Sequence, residues 1–356
     1  MTKSIIFWLL IFILSFQTVQ AQNFPNPNWE YYKNTSEAGW DQKKVDTLYR
    51  FIVDSTFITG FLIIHDGKVV YEFGDIKENS YIASCRKSVL SMIYGEHIKS
   101  GEIKLDKTLT DLGIDDVGGL LPIEKTATIR DIISARSGVY HPASYPGDYL
   151  DVAPKRGSVK PGYYWLYSNW DFNVAGYIFE KETHRNIYDE IERILARPLQ
   201  MQDWDHSLQK KEGDSTKSYY PAYPIFFSTR DMARLGLLML NKGKWGDKRV
   251  IDKSWVEDMV SPKTDYTEVN KNAPAYRGTG YYFGYGYMWW LWQNVTDERF
   301  REGFSAFGSY GQSITVFPAI NTVIVYKTKD DYDRMTPYLA WFKVLRLAVE
   351  AYLPKP

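Results

Sequence analysis

Apolar positions recur in different rhythms along this chain, and each rhythm predicts a different kind of element. Ile5 to Phe16 is an almost unbroken apolar run behind Lys3, closed by Val19-Gln20-Ala21. The run is shorter than the roughly 20 residues a spanning helix needs, so it predicts an export signal over residues 1–21 and a mature chain starting near Gln22. Residues 22–40, rich in Asn, Pro and aromatics, read as an irregular lead-in. Helical spacing begins with a segment from about Asp41 to Val53. Two apolar stretches, Gly60 to His65 and Lys68 to Phe73, then flank Asp66-Gly67 and predict a hairpin. Tyr81-Ile82-Ala83 runs into a helix in which Val89, Leu90, Met92, Ile93 and Ile98 recur at helical spacing until Gly101 ends it.

From about residue 101 to 272 helical segments and polar connections replace strands. Thr128, with Asp131 three residues on, predicts a capped short helix ending at Ser137-Gly138. Phe172 to Leu195 predicts a longer helix, and Thr229 to Leu240 and Lys253 to Val260 predict amphipathic ones. Strand signals return in aromatic-rich Tyr285 to Trp292, and in Gln312 to Phe317 and Thr322 to Lys327 around Pro318-Ala319-Ile320-Asn321. Pro337 to Leu353 closes the chain as a helix. This order predicts an α+β fold: an antiparallel sheet built from both chain ends, residues 41–100 and 273–356, flanked by helices, with an inserted mainly helical region over 101–272.

Composition narrows the function classes. The 356 residues are 44% hydrophobic, enough for a sizeable core. Lys+Arg and Asp+Glu are both 43, so the zero net charge leaves no footprint for nucleic acid or an anionic membrane. Cys85 is the single cysteine, which excludes a disulfide framework and a thiolate zinc cluster. The five histidines include no His-Glu-x-x-His, and Gly278-x-Gly280 lacks the helix that a dinucleotide fingerprint opens, so no metal and no cofactor is expected. Gly303-Phe304-Ser305-Ala306-Phe307 misses the fifth-position glycine of a nucleophile elbow, leaving Ser305 as a strand residue.

One stretch carries chemistry. In Ser84-Cys85-Arg86-Lys87 a serine stands one helical turn ahead of a lysine, at the start of a helix that its apolar spacing buries. A serine hydroxyl hardly ionises near neutral pH, so its attack on a carbonyl needs a proton acceptor, and a buried lysine in its uncharged form is one. Cys85, beside the serine, is expected to point into packing.

With Tyr167-Ser168-Asn169 and Gly308-Ser309-Tyr310-Gly311-Gln312, the Ser84-x-x-Lys87 motif resembles, in order and spacing, the three motifs of the serine β-lactamase and penicillin-binding protein superfamily. The segments 132–138, Pro161-Gly162, 198–201 and 228–236 look like landmarks of its class C-related branch. The resemblance runs over one catalytic domain of about 47–350. Within the branch, residues 308–327 look most like the 6-aminohexanoate-dimer hydrolase and carboxylesterase-type members.

The resemblance implies a β-lactamase/transpeptidase-like fold and a hydrolase forming an acyl-enzyme on Ser84. Lys87 and Tyr167 would share the roles of general base and proton shuttle. The backbone amides of Ser84 and of Ser309, on the edge strand, would form the oxyanion hole. Asn169 would face the cleft, to bind a substrate carbonyl or hold Lys87, and Gly308, Tyr310, Tyr164 and His141 are further candidates for the cleft. By themselves Tyr167 reads as a core aromatic, Asn169 as a helix cap, and Trp289, Trp290 and Trp292 as core packing; joint occurrence changes the reading of the first two.

The sequence departs from β-lactam-processing members in the third motif. Those carry Lys or His, then Thr, before the glycine, whereas here the aligned residues are Ala306 and Phe307. Loss of that cation and hydroxyl removes a charge-assisted contact to a substrate carboxylate. The expected partner is therefore a small, neutral or apolar ester, amide or peptide-like substrate, met in the periplasm or outside the cell, with no membrane span once the signal is removed. The alternatives are a non-catalytic, penicillin-sensing envelope protein, a D-Ala-D-Ala peptidase or transpeptidase, and a β-lactamase. Oligomeric state is open.

Overall fold

The computed structural model describes residues 23–145, 147, 149–329 and 334–354; the predicted export signal lies outside them. Asp41 caps α1 (Gln42–Ser55) by accepting the Lys44 amide hydrogen at 3.2 Å. Strands β1 (Gly60–His65) and β2 (Lys68–Gly74) pair across Asp66 and Gly67. Those two residues take φ of 49° and 78°, the left-handed pair a two-residue hairpin turn requires. β3 (Ser80–Tyr81) leads to α2 (Cys85–Ser100), which ends at Gly101 in the left-handed region.

The helical region holds α3 (Ile129–Ile133), α4 (Asn169–Thr183) and α5 (Ile187–Ile191), the last running into a π-helical turn at Glu192–Ala196. Thr128 and Asp131 form the expected reciprocal cap, but α3 stops at Ser134, short of Ser137-Gly138. The long helix expected from Phe172 to Leu195 is two helices. His184 turns left-handed at φ 55°, and the Asn186 side chain accepts the Tyr188 and Asp189 amides to start α5 afresh. Strand β4 (Phe226–Phe227) pairs with β3, and α6 (Thr229–Leu240), the short hairpin β5 (Lys244–Trp245) and β6 (Lys248–Arg249), α7 (Lys253–Met259) and α8 (Tyr266–Asn272) follow.

The C-terminal part supplies β7 (Tyr282–Tyr285), β8 (Trp290–Gln293), β9 (Phe304–Gly308), β10 (Gln312–Phe317), β11 (Thr322–Lys327) and α9 (Tyr338–Ala351). The single strand expected over Tyr285 to Trp292 is thus a hairpin, turned where Met288 takes φ 61°. Among the described residues the main sheet has seven antiparallel strands in the order β2-β1-β11-β10-β9-β8-β7. Residues 60–74 and 282–327 therefore meet in one sheet, the α+β arrangement expected from the strand signals. β9 is an interior strand, and Ser309 lies in the turn after it rather than on an edge strand.

β1, β9, β10 and β11 are buried at every position because both sheet faces are covered. On one face Gly236 of α6 lets the helix approach so closely that a Cβ there would stand 3.1 Å from Ile314 of β10. On the other, the Tyr326 hydroxyl of β11 donates to the Trp341 carbonyl of α9 at 3.4 Å, and Phe307 meets Phe342 at 5.7 Å between centroids.

Candidate active site

The site grows from the start of α2. Ala83 is held left-handed at φ 46°, and Ser84 turns into helical geometry as the N-cap residue. A strained alanine immediately before a candidate nucleophile persists only where surrounding packing holds it. That packing is β9: a Cβ on Gly308 would stand 2.6 Å from the Ile82 carbonyl oxygen and 3.0 Å from the Ser84 nitrogen. Gly308 is thus required by close backbone approach, not as a strand-end bulge.

Lys87 is buried one turn along, and its amine meets three neutral oxygens: Ser84 Oγ at 3.0 Å, the Tyr167 hydroxyl at 2.6 Å and Asn169 Oδ1 at 2.6 Å. Asn169 is the first residue of α4 and faces Lys87 instead of capping the helix. Tyr167 stacks on Trp290 at 5.5 Å and packs on Phe172 at 4.9 Å. Burial pushes its phenol above the ordinary range, opposed by its hydrogen bond with Ser84 and by the positive charge of Arg86. Arg86 is itself buried, bonded through Nη2 to Asn173 Oδ1 at 2.9 Å and lying 4.3 Å over the Tyr223 ring.

Ser84, Tyr167, Gly308 and Ser309 line one cavity of about 150 Å³. Among the described residues neither the Ser84 nor the Ser309 amide donates to a backbone carbonyl, so both are available to an oxygen bound there. Cys85 points away, its thiol donating to the Ala306 carbonyl in β9 at 3.4 Å, and burial pushes the thiol well up.

Other candidates stand elsewhere. His141 is buried with its ring nitrogens against the Pro142 and Val117 carbonyls, 2.9 and 2.8 Å away, outside the cavity lining. Tyr164 packs edge-on to Tyr140 at 6.4 Å and also stays out of the lining. Tyr310 takes φ 69° in the turn after β9, where its carbonyl accepts the Thr336 amide at 2.9 Å. In their place Tyr149, Tyr276, Trp290, Tyr338 and Trp341 line the cavity with Phe307. No local pattern marks them, since they come from five separate segments. Trp289 and Trp292 are core residues as expected, whereas Trp290 of the same strand segment serves the site. Two larger grooves, of about 540 and 450 Å³, include none of Ser84, Lys87 and Tyr167.

The beta-lactamase family model matches residues 57–348, and the chain belongs to that family of serine hydrolases. Among solved structures it is similar to a candidate 6-aminohexanoate-dimer hydrolase from Bacillus anthracis, with 19% identity, a TM-score of 0.64, and 92% of this chain and 88% of that one covered. It is also similar to EstCE1, a hydrolase with promiscuous acyltransferase activity, with 15% identity, a TM-score of 0.61, and 85% and 97% covered. For simvastatin synthase from Aspergillus terreus the values are 15%, 0.64, 86% and 96%. At these identities the likeness is one of fold.

Proposed function

We propose that this protein is an exported serine hydrolase that cleaves a neutral ester or amide through an acyl-enzyme on Ser84. The observation that carries the reading is the Lys87 amine, 3.0 Å from Ser84 Oγ and 2.6 Å from the Tyr167 hydroxyl. In its uncharged form Lys87 accepts the serine proton as Oγ attacks the carbonyl carbon. Burial keeps the Tyr167 phenol protonated, which suits it to pass a proton to the leaving group and take one back from water in deacylation. The tetrahedral oxygen is held by the Ser84 and Ser309 amides, donors of a kind whose loss costs about 10²–10³ in rate. Asn169 orients Lys87. The absence of a cation at Ala306 and Phe307 favours a neutral substrate, and export rests on the apolar run at residues 5–16. Among the described residues no helix is long and apolar enough to cross a membrane.

A fluorophosphonate probe tests this: wild type is labelled at Ser84, and labelling undiminished in Ser84→Ala refutes the assignment. Turnover of p-nitrophenyl esters separates the hydrolase from a non-catalytic ligand-binding protein, which acylates without release. Acyl transfer to an added amine in preference to water marks a transferase instead.

A further inference from the structure

We propose that the first turn of α9 completes an aromatic box that limits the substrate's acyl group to one without negative charge and about the size of a single ring or a four-carbon chain. This rests on the acyl-serine reading above. Tyr338 and Trp341 lie one helical turn apart at the start of α9, with ring centroids 4.3 Å apart, and both line the Ser84 cavity. Facing them are Phe307, 6.4 Å from Trp341, and the perpendicular pair Tyr276 and Trp290, 4.7 Å apart. The space they leave beside Ser84, open on one side, is about 150 Å³, the volume of a cavity that holds one benzene ring.

The wall is fixed rather than adaptable. Trp341 Nε1 donates to the Thr336 carbonyl at 2.5 Å, and the Thr336 amide donates to the Tyr310 carbonyl at 2.9 Å. The start of α9 is thereby tied to the turn that carries the Ser309 amide. A longer chain must displace this aromatic turn or leave its end in solvent at the open side.

Negative charge is excluded. Among the described residues no charged side chain lines the cavity, so a carboxylate entering it sheds water with no guanidinium or ammonium to meet it. Burial raises the Tyr149, Tyr276 and Tyr338 phenols, so the wall offers ring faces and uncharged hydroxyls.

The test holds the leaving group constant and varies the acyl group: p-nitrophenyl butyrate, benzoate, octanoate and hemiglutarate, read as kcat/KM. Butyrate or benzoate should exceed the octanoate and the hemiglutarate by about tenfold or more. In Tyr338→Ala and Trp341→Ala the octanoate-to-butyrate ratio should rise by about tenfold; Tyr338 is only partly buried, so its variant serves if Trp341→Ala fails to fold. A flat chain-length profile in wild type, a hemiglutarate hydrolysed as fast as butyrate, or an unchanged ratio in the folded variants overturns the box. If fluorophosphonate still labels Ser84 in that case, only the box falls. If Ser84 is neither labelled nor acylated, the acyl-serine reading falls with it.

Discussion

Ser84, Lys87 and Tyr167 were legible as a motif set, but what each does at its position depends on atoms the motif does not name. Lys87→Ala and Tyr167→Phe each remove one end of the 2.6 Å contact, so ester turnover should fall about 10²–10⁴-fold while the far-UV circular dichroism spectrum stays as in wild type. Gly308→Ala places a methyl 2.6 Å from the Ile82 oxygen and 3.0 Å from the Ser84 nitrogen. It should cost about 1–3 kcal/mol in denaturant titrations and most of kcat, because relief of the clash moves an oxyanion donor. Cys85 adjoins Ser84 yet is buried, and its thiol is pushed well above its ordinary value. It should resist DTNB in the native protein and react stoichiometrically once unfolded; fast native labelling would contradict its placement.

Helix α2 does more than carry Lys87 one turn after Ser84. Ser88 and Ser91, at helical spacing from Ser84, donate to the Met288 and Tyr287 carbonyls at 2.6 and 2.8 Å and so seat the β7–β8 turn on the helix. Trp290, which stacks on Tyr167, follows that turn directly. Ser88→Ala leaves a buried carbonyl unsatisfied, so the melting temperature should drop by an amount corresponding to about 1–2 kcal/mol, with ester turnover reduced through Trp290. The helix starts expected at about Asp41, after the Thr128 cap, at Thr229 and at Lys253 agree with those observed, and Asp41, Ser228 and Asp252 prove to cap theirs as well. The break at His184 was not, because the apolar spacing runs on across Ile187 and Ile191 and only the Asn186 cap divides it.

Across the whole molecule, buried carboxyls couple folding to pH. Asp231 in α6 accepts the Gln202 and Asp203 amides at 3.1 and 3.0 Å. Burial, and then the Asp203 charge, outweigh those donors and raise its pKa from 3.8 to about 6. A raised carboxyl favours the protonated native state, so its contribution is complete below about pH 4 and lost as pH rises through about 6. The span of about two units is on the order of 2–3 kcal/mol. Thermal melts between pH 4 and 7 should show that loss in wild type and a flatter profile in Asp231→Asn; parallel profiles would remove Asp231 as the cause.

Local patterns along the chain specified most of the elements and the residues of the first two motifs, because helix caps, turn dipeptides and a one-turn Ser–Lys spacing are properties of neighbouring residues. The strand order, the interior position of β9 and the aromatic cavity depend on residues 149, 276, 290, 307, 338 and 341 meeting across long stretches of chain. No periodicity encodes such a meeting. Aromatic residues are 16% of this sequence, and each looks like core until packing leaves a space beside Ser84 that only a few of them face.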